Sequence, residues 1–325
     1  MKVCVYGAGA IGGHFAARAA KGGGEVSVIA RGANLVAIRA DGLRVLADDD
    51  EFCEGVVATD DPATLGPQDV VIVTVKAPAL PAVAAGIAPL LGPDTRVVFA
   101  MNGIPWFYFH GHGGELDGMR LPRIDPDDAM WRAVGPERAV AGIVYSACVV
   151  SAPGTIAVSG PSKLILGTPD GHASPTTESL AVLFREGGLG IDIAADMRHA
   201  IWRKLLLNLF TGPLCLVAQS NIRDMIAEPA AETASRACLA EALAVARAMG
   251  HEITIDADRL VAGLHGMTHK PSVLQDFELG RPMEIDAVFD APLQLARRKG
   301  IATPTLDLLV GLMKLKARGS SLTLG

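Results

Sequence analysis

The sequence predicts an α/β fold, with a doubly wound parallel sheet in its N-terminal part and an all-helical C-terminal domain. Three observations support this prediction. A short apolar strand at 2–6 leads directly into a glycine-rich turn and a helix. Strand-length apolar runs then alternate with helical stretches, and from about Asp196 onward the periodicity is helical throughout. We therefore assign residues 1–194 to a sheet domain and residues 195–325 to a helical domain.

The N-terminal turn has the spacing Gly7-x-Gly9-x-x-Gly12. Directly after a strand and before a helix, the first glycine permits a sharp turn, the second lets backbone approach a pyrophosphate, and the third allows close helix packing. The first helical residues, Ala10 and Ile11, then present free N–H groups to the anion. The turn predicts a dinucleotide-binding domain of the Rossmann type; a tight surface turn is the alternative.

A second strand at 25–30 ends at Arg31. Units that bind NAD usually place an Asp or Glu here, which accepts a hydrogen bond from the ribose 2′-hydroxyl. A guanidinium can instead hold a 2′-phosphate through paired charge-assisted hydrogen bonds. Arg31 therefore favours NADP(H) as the cofactor, and an ordinary solvated loop arginine is the alternative.

Further strands are predicted at 70–75 and 96–100, with a helical stretch at 81–91 between them. They continue the parallel pattern of the sheet. Shorter strand-like segments follow, separated by glycine and proline, and these predict an antiparallel extension at the edge of the sheet. The segments are 139–150, 154–159 and 163–167.

The composition favours a small-molecule partner. A formal charge of −6, from 29 basic and 35 acidic residues without a block of like charges, gives no footprint for nucleic acid or an anionic membrane. No apolar run approaches the roughly 18 residues that span a bilayer, so we expect a soluble, cytoplasmic protein. The five cysteines are scattered without a CxxC pair, and His110 and His112 lack a carboxylate cluster, so neither disulfides nor a metal are expected.

Lys204 and Asn208 lie four residues apart on one face of a helix predicted at 197–209. A lysine in an apolar cleft loses solvation of its ammonium group, so its pKa falls and it can act as a general acid near neutral pH. The alternative is a lysine that snorkels to solvent from an amphipathic helix.

Polar residues also follow two of the predicted strands. Lys76 and Asn102 lie just past the C-terminal ends of their strands, where open α/β sheets bind ligands. Ser272 and Glu284 contribute a hydroxyl and a carboxylate that can face a cleft. The alternatives are a solvated lysine, a turn-forming Asn-Gly and two helix caps.

Taken in order, these motifs resemble the ketopantoate reductases (2-dehydropantoate 2-reductases) over essentially the whole chain. The matching positions are Gly7-Gly9-Gly12, Arg31, Val75-Lys76, Asn102-Gly103, Trp202-Lys204-Asn208, Ser272-Leu274-Asp276 and Glu284-Ile285-Asp286. The resemblance implies that NADPH reduces the carbonyl of a 2-oxo acid, converting 2-dehydropantoate to pantoate in pantothenate biosynthesis.

The resemblance also implies roles for single residues. Lys204 donates a proton to the carbonyl oxygen, and Lys76 and Asn102 hold the nicotinamide-side ribose and orient the lysine. Asn208 and Ser272 contact polar groups of the substrate, as Asn102 is also expected to do. Glu284 binds near cofactor and substrate.

The chain departs from the family pattern at several positions. Gly212 stands where the family commonly has a second asparagine that binds the substrate hydroxyl, and we expect the freed volume to admit a bulkier or less hydroxylated acid. Phe289 and Pro292 follow the Glu-Ile-Asp motif, so packing near the substrate is altered. His269 and the lysine after it are candidates to bind an anion.

An additional segment begins at 104–109 with four large aromatic or apolar side chains. Such a segment seeks cover, which predicts either a lid over the cleft or a subunit contact. A homodimer is left open. Two other functions are also left open, a reductase of a different 2-oxo or 3-oxo acid and a non-catalytic NADP-binding sensor.

Overall fold

The computed structural model describes residues 1–48 and 50–319, which form two compact units. The first unit consists of Met1–Val75, Ala79–Met101 and Pro105–Met197. The second consists of the described chain from Arg198 onward, together with Lys76–Pro78 and Asn102–Ile104. The boundary between residues 194 and 195 stays a prediction. The sequence did not indicate that two short loops of the N-terminal part belong with the helical unit.

The strands of the first unit form one ten-stranded sheet. They are β1 (Lys2–Tyr6), β2 (Glu25–Ile29), β3 (Leu43–Ala47), β4 (Asp50–Glu54), β5 (Val57–Thr59), β6 (Gln68–Val73), β7 (Leu91–Phe99), β8 (Ala139–Ala152), β9 (Thr155–Gly167) and β10 (Gly190–Ile193). Along the sheet the order is β4-β3-β9-β8-β7-β6-β1-β2-β5, and β10 pairs with β9.

The centre of the sheet is doubly wound, as the sequence predicts. β1 pairs in parallel with both β2 and β6, so the chain changes its direction of winding around β1. Ligands bind at the carboxyl ends of the strands at such a switch point. The glycine turn follows β1 at this end.

The antiparallel part of the sheet differs from the sequence expectation. The three strands expected between residues 139 and 167 are two long strands, β8 and β9, which form a hairpin. Gly160 lies within β9 at a positive φ of 66°, near an irregularity in the pairing, and does not end the strand. The hairpin is interior to the sheet because β3 and β4 continue beyond β9. The short strands β3, β4 and β5 were not predicted from the sequence.

Helices cover the sheet of the first unit. They are α1 (Ala10–Lys21), α2 (Gly32–Asp41), α3 (Leu80–Gly86), α4 (Ala129–Ala133) and α5 (Pro175–Glu186). The rings of Phe15 on α1 and Phe184 on α5 are fully buried and meet edge to face, 5.7 Å apart. This core fixes α1, and with it the glycine turn that precedes it.

The aromatic segment after Asn102 forms a small core of its own. Trp106, Phe107, Tyr108 and Phe109 are at most 1% exposed. Trp106 meets the Phe99 ring at the end of β7 edge to face, with the centroids 5.4 Å apart. The expectation of a lid or subunit contact from these side chains is therefore wrong, because they find their cover inside the first unit.

The second unit is built of helices, which confirms the predicted all-helical domain. They are α6 (Met197–Ala218), α7 (Ile222–Ile226), α8 (Pro229–Ala248), α9 (Ala257–Leu264), α10 (Ser272–Glu278), a π-helical turn (Asp286–Asp290), α11 (Ala291–Arg298) and α12 (Pro304–Gly319). The π turn directly precedes Pro292, so this proline lies in the first turn of α11, where its missing N–H is tolerated.

Helix α6 extends further than its sequence predicts. It continues through Pro213 to Ala218 instead of ending near Leu209. In the described chain it is the one helix long and apolar enough to cross a membrane by length and composition, although no such run was expected. Most of its apolar part is buried inside the protein, which is the arrangement of a core helix.

We predict that Phe109→Ala lowers the free energy of unfolding by about 3–5 kcal/mol, because it removes a fully buried ring from the aromatic core. Chemical denaturation measures the loss. The matched control is Val182→Ala on α5, where the side chain is 52% exposed and the change should stay within about 0.5 kcal/mol. Equal stability of the two variants would show that the segment is not a core.

Candidate active site

The glycine turn is shaped by close backbone contacts. Gly7 has a φ of 113°, which favours glycine, and its N–H donates to the carbonyl of Ile29 at 3.1 Å. A Cβ on Gly12 would lie 1.8 Å from the Gly7 carbonyl oxygen, so only glycine lets α1 pack this closely on the turn. A Cβ on Gly9 would have no atom within 4 Å and would project into open space.

A cleft of about 680 Å³ lies beside this turn in the first unit. Its lining residues are Tyr6, Gly7, Ala8, Gly9, Ile29, Ala30, Arg31, Asn34, Val75, Ala79, Ala82 and Val83. Ala10 and Ile11 open α1, and no acidic side chain occupies its first turn. The free N–H groups of that turn can therefore receive a pyrophosphate.

Arg31 lies at the start of α2, exposed and in an extended backbone conformation. It is near Tyr6, because its charge acts on that phenol. Burial raises the pKa of Tyr6, and the Arg31 guanidinium partly opposes the rise. Within the part of the chain that the structure describes, the guanidinium has no ion-pair partner, and it lies on the lining of the dinucleotide cleft, where it suits a phosphate.

Asn34 is a residue of this cleft that the sequence analysis missed. Its amide nitrogen donates to the carbonyl of Ala8 at 2.9 Å, and its amide oxygen accepts from the N–H of Gly154 at 3.1 Å. The side chain thus joins the glycine turn to the tip of the β8–β9 hairpin. Its proximity to Arg31 was visible in the sequence, but both of its partners depend on the fold.

A second, small pocket lies within the second unit. It is lined by Asn102, Asn208, Gly212, Pro271, Ser272, Val273, Asp276, Glu284, Val288 and Phe289. Four residues that the sequence singled out therefore meet in one place: Asn102, Asn208, Ser272 and Glu284. The pocket combines amide, hydroxyl and carboxyl groups with apolar side chains.

Lys76 is linked to this pocket by an ion pair with Asp276, one of the lining residues. Its ammonium nitrogen lies 2.6 Å from Asp276 Oδ1 and also donates to the carbonyl of Pro282 at 3.0 Å. Asp276 was quoted in a motif, but the sequence analysis gave it no role. The spacing of four residues from Ser272 is a signal that could have placed both side chains on one face of α10.

Glu284 is the most perturbed carboxyl group of the pocket. Burial raises its pKa to about 7, while the Asn102 hydrogen bond and the charge of Lys76 act in the opposite direction. Asn102 donates to Glu284 Oε2 at 3.3 Å. At neutral pH this carboxyl group therefore exists in both protonation states.

Lys204 lies one turn before Asn208 on α6 and is half-buried. Burial lowers the pKa of its ammonium group. It is also near His269, whose pKa is lowered by burial first and by the charge of Lys204 second. Such a lysine releases its proton more readily than a solvated one, which suits a general acid.

Gly212 does not enlarge the pocket, contrary to the sequence expectation. A Cβ at this position would lie 3.0 Å from Cζ and 3.2 Å from Cε1 of Phe289. The phenylalanine ring occupies the space that the glycine leaves. The lysine after His269 is also engaged, because Lys270 forms an ion pair with Glu278 at 2.7 Å.

Two further observations bear on ligands. Among the described residues, no group of three or more histidine, cysteine or carboxylate side chains is arranged to hold a metal ion. The chain instead offers a dinucleotide cleft and a separate polar pocket with a lysine of lowered pKa and a carboxyl group of raised pKa. This fold and these sites define a dinucleotide-dependent oxidoreductase.

The chain belongs to the ketopantoate reductase family. The family model described as ketopantoate reductase PanE/ApbA matches residues 3–171, and the model of its C-terminal domain matches residues 196–317. A 2-dehydropantoate 2-reductase of Mesorhizobium japonicum is 40% identical, with 97% of each chain covered.

Solved structures agree with the family. A crystal structure assigned to the ketopantoate reductases, from Ralstonia solanacearum MolK2, has a TM-score of 0.91 and 39% identity over 99% of each chain. The 2-dehydropantoate 2-reductase of Geobacter metallireducens GS-15 has a TM-score of 0.83 and 27% identity, with 97% of this chain and 99% of that chain covered.

We predict that Gly9→Ala and Gly12→Ala have opposite effects. Gly9→Ala should leave the free energy of unfolding within about 1 kcal/mol of the wild-type value. It should weaken dinucleotide binding about ten-fold or more, because its methyl group projects into the open space at the phosphate-binding turn. Gly12→Ala should lower the free energy of unfolding by about 1–3 kcal/mol or more, because the methyl group meets the Gly7 carbonyl. Thermal unfolding and cofactor titration measure the pair, and the reverse pattern would contradict this account of the turn.

We predict that Glu284→Gln removes a pH-dependent loss of stability. The pKa of the group is about 7 in the folded protein and near 4.5 when solvated. Between these values the unfolded chain ionises and the folded protein does not, so the wild type should lose stability as pH rises, and level off above pH 7. Above pH 7, the free energy of unfolding of the variant should exceed that of the wild type by at most about 3 kcal/mol. Unfolding from pH 4 to 8 tests this, with the exposed Glu186→Gln as control; a constant difference would contradict it.

Proposed function

We propose that this protein is an NADPH-dependent 2-oxo acid reductase that converts 2-dehydropantoate to pantoate, a step of pantothenate biosynthesis, in the cytoplasm. One observation carries the proposal. A single pocket is lined by four residues that lie far apart in the sequence: Asn102, Asn208, Ser272 and Glu284. Each belongs to a motif that the family shares, and the motifs follow each other along the chain in the family's order. Lys204 lies one helical turn from that lining.

The residues of the first unit fit the cofactor. The pyrophosphate is held by the free N–H groups of Ala10, Ile11 and Gly12. Gly7 sets the turn, and Gly9 has no side chain that would block the approach of the phosphates. Arg31 binds the 2′-phosphate, which NADPH carries and NADH lacks. Bound NADPH supplies the hydride for the reduction.

The second unit provides contacts to both ligands. Lys76 and Asn102 bind the nicotinamide-side ribose, and Glu284 binds near the cofactor and the substrate. The ion pair with Asp276 holds Lys76 in place. The raised pKa of Glu284 lets it serve as a hydrogen-bond donor as well as an acceptor.

Lys204 acts as the general acid. Negative charge develops on the carbonyl oxygen during reduction, and the ammonium group both stabilises this charge and donates the proton. Asn208 and Ser272, together with Asn102, hold the polar groups of the acid and so orient its carbonyl toward Lys204. Because burial lowers the pKa of Lys204, the proton is transferred at a smaller cost than from a solvated lysine.

We predict that Lys204→Met lowers turnover of 2-dehydropantoate by about 10²–10⁴-fold, because the variant keeps the length of the side chain and removes the proton donor. The affinity for NADPH should be largely retained. NADPH oxidation and a fluorescence titration measure the two quantities. Arg203→Met, at the exposed neighbouring position on α6, is the matched control. Undiminished turnover in the lysine variant would favour a different proton donor or a non-catalytic sensor.

We predict that Arg31→Ala weakens NADPH binding about ten-fold or more and changes NADH binding about two-fold or less, because one charge-assisted contact to the 2′-phosphate is lost. Dissociation constants for both cofactors give the ratio. Arg44→Ala, which breaks only the exposed pair with Glu51, serves as the control. An equal loss for both cofactors would contradict the assignment of Arg31.

A further inference from the structure

Three residues in the lining of the second unit's pocket have no hydrogen-bonding group in their side chains. This apolar corner is formed by Gly212 on α6, Val273 on α10 and Phe289 in the π turn. The side chains with hydrogen-bonding groups in the described lining are Asn102, Asn208, Ser272, Asp276 and Glu284. A substrate that fills the pocket therefore meets polar groups and a separate hydrocarbon surface.

Phe289 and Val273 both border the place that a side chain on Gly212 would occupy. A Cβ on Gly212 would meet Phe289 Cζ at 3.0 Å and Val273 Cγ1 at 3.6 Å. Gly212 lies inside α6, with no positive φ, so its backbone would accept any side chain. The Phe289 ring is the group that a side chain at this position would meet first.

Phe289 is held firmly in this place. It is 2% exposed and lies within the π turn, whose extra residue changes the direction of the side chains that follow. Two residues before it in the chain, the carbonyl of Ala287 accepts a hydrogen bond from the N–H of Ile104 at 2.9 Å. In the residue after it, the buried carboxylate of Asp290 forms an ion pair with Lys314 on α12. The ring is therefore a fixed wall of the pocket.

The order of residues along α6 orients a substrate toward this wall. Lys204, Asn208 and Gly212 follow each other at one-turn intervals on the same face. In the proposed reduction, the carbonyl lies at the Lys204 end and polar groups of the acid lie at Asn208. The carbon substituent beyond the carbonyl then lies against Gly212 and Phe289.

We infer that Phe289, seated on Gly212, is the specificity-determining residue of this reductase, and that it selects 2-oxo acids with a compact, branched hydrocarbon group next to the carbonyl. The inference rests on the proposed function and narrows its substrate class. The apolar corner provides no side-chain partner for a hydroxyl on that group, so a hydroxyl placed there loses its hydrogen bonds with water without replacement.

Two acids with the same carbon skeleton test the inference. 2-Dehydropantoate carries a hydroxyl that 3,3-dimethyl-2-oxobutanoate lacks. We expect kcat/KM for NADPH-dependent reduction of the second acid to equal or exceed that of the first, by up to about ten-fold. A lower kcat/KM for 3,3-dimethyl-2-oxobutanoate overturns the inference, while the proposed function survives because 2-dehydropantoate is still reduced.

A double variant makes the test independent of folding yield. Gly212→Asn with Phe289→Ala places an amide in the corner and removes the ring that it would meet. The kcat/KM for 2-dehydropantoate, divided by the kcat/KM for 3,3-dimethyl-2-oxobutanoate, should rise by about ten-fold. This ratio does not depend on the amount of active enzyme. Phe277→Ala, a ring on α10 outside the pocket lining, should leave the ratio unchanged. An unchanged ratio in the double variant overturns the inference.

Failure of the proposed function gives a different result. If neither acid supports NADPH oxidation, the reductase proposal fails. The dissociation constants of the two acids for the protein–NADP⁺ complex, measured by calorimetry, then decide the inference. Equal or tighter binding of the acid without the hydroxyl supports the apolar corner, and weaker binding overturns it.

Discussion

The pocket of the helical unit depends on one close backbone approach. Gly103 has a φ of 91°, and a Cβ there would lie 2.5 Å from the carbonyl of Ala287, so only glycine permits the contact. The adjacent N–H of Ile104 donates to the same carbonyl. This approach fixes Asn102 beside Glu284 and at the same time fixes the π turn that carries Phe289. A loop that follows a strand of the sheet is thereby built into the helical unit.

Burial then gives the pocket its chemistry. The same loss of water raises the pKa of Glu284 to about 7 and lowers the pKa of Lys204, because each charged form is disfavoured in an apolar environment. The two shifts bring the pKa values of the carboxyl group and of the ammonium group closer together than they are in water.

The sequence predicted the parts of the site that depend on local rules. The turn at Gly7, Gly9 and Gly12 is recognisable because its glycines are required within one strand-turn-helix unit, and the motif order identified the family. Packing between distant segments was not predictable. Asn34 gains its role from the hairpin tip at Gly154, and the effect of Gly212 was misjudged because the ring that fills its space belongs to a turn more than seventy residues away. The buried aromatic segment was predicted to be a lid or a subunit contact for the same reason, because the side chains that cover it are distant in the sequence.

The bridge formed by Asn34 has a consequence for the design of related proteins. One amide serves the Ala8 carbonyl with its nitrogen and the Gly154 N–H with its oxygen, so an aspartate would satisfy only the second group and a leucine neither. Both partners are backbone groups, so their pairing depends on the amide of Asn34 and not on the side chains of the two loops. A chimera that exchanges α2 must therefore keep an asparagine at this position, or both backbone groups lose their partner.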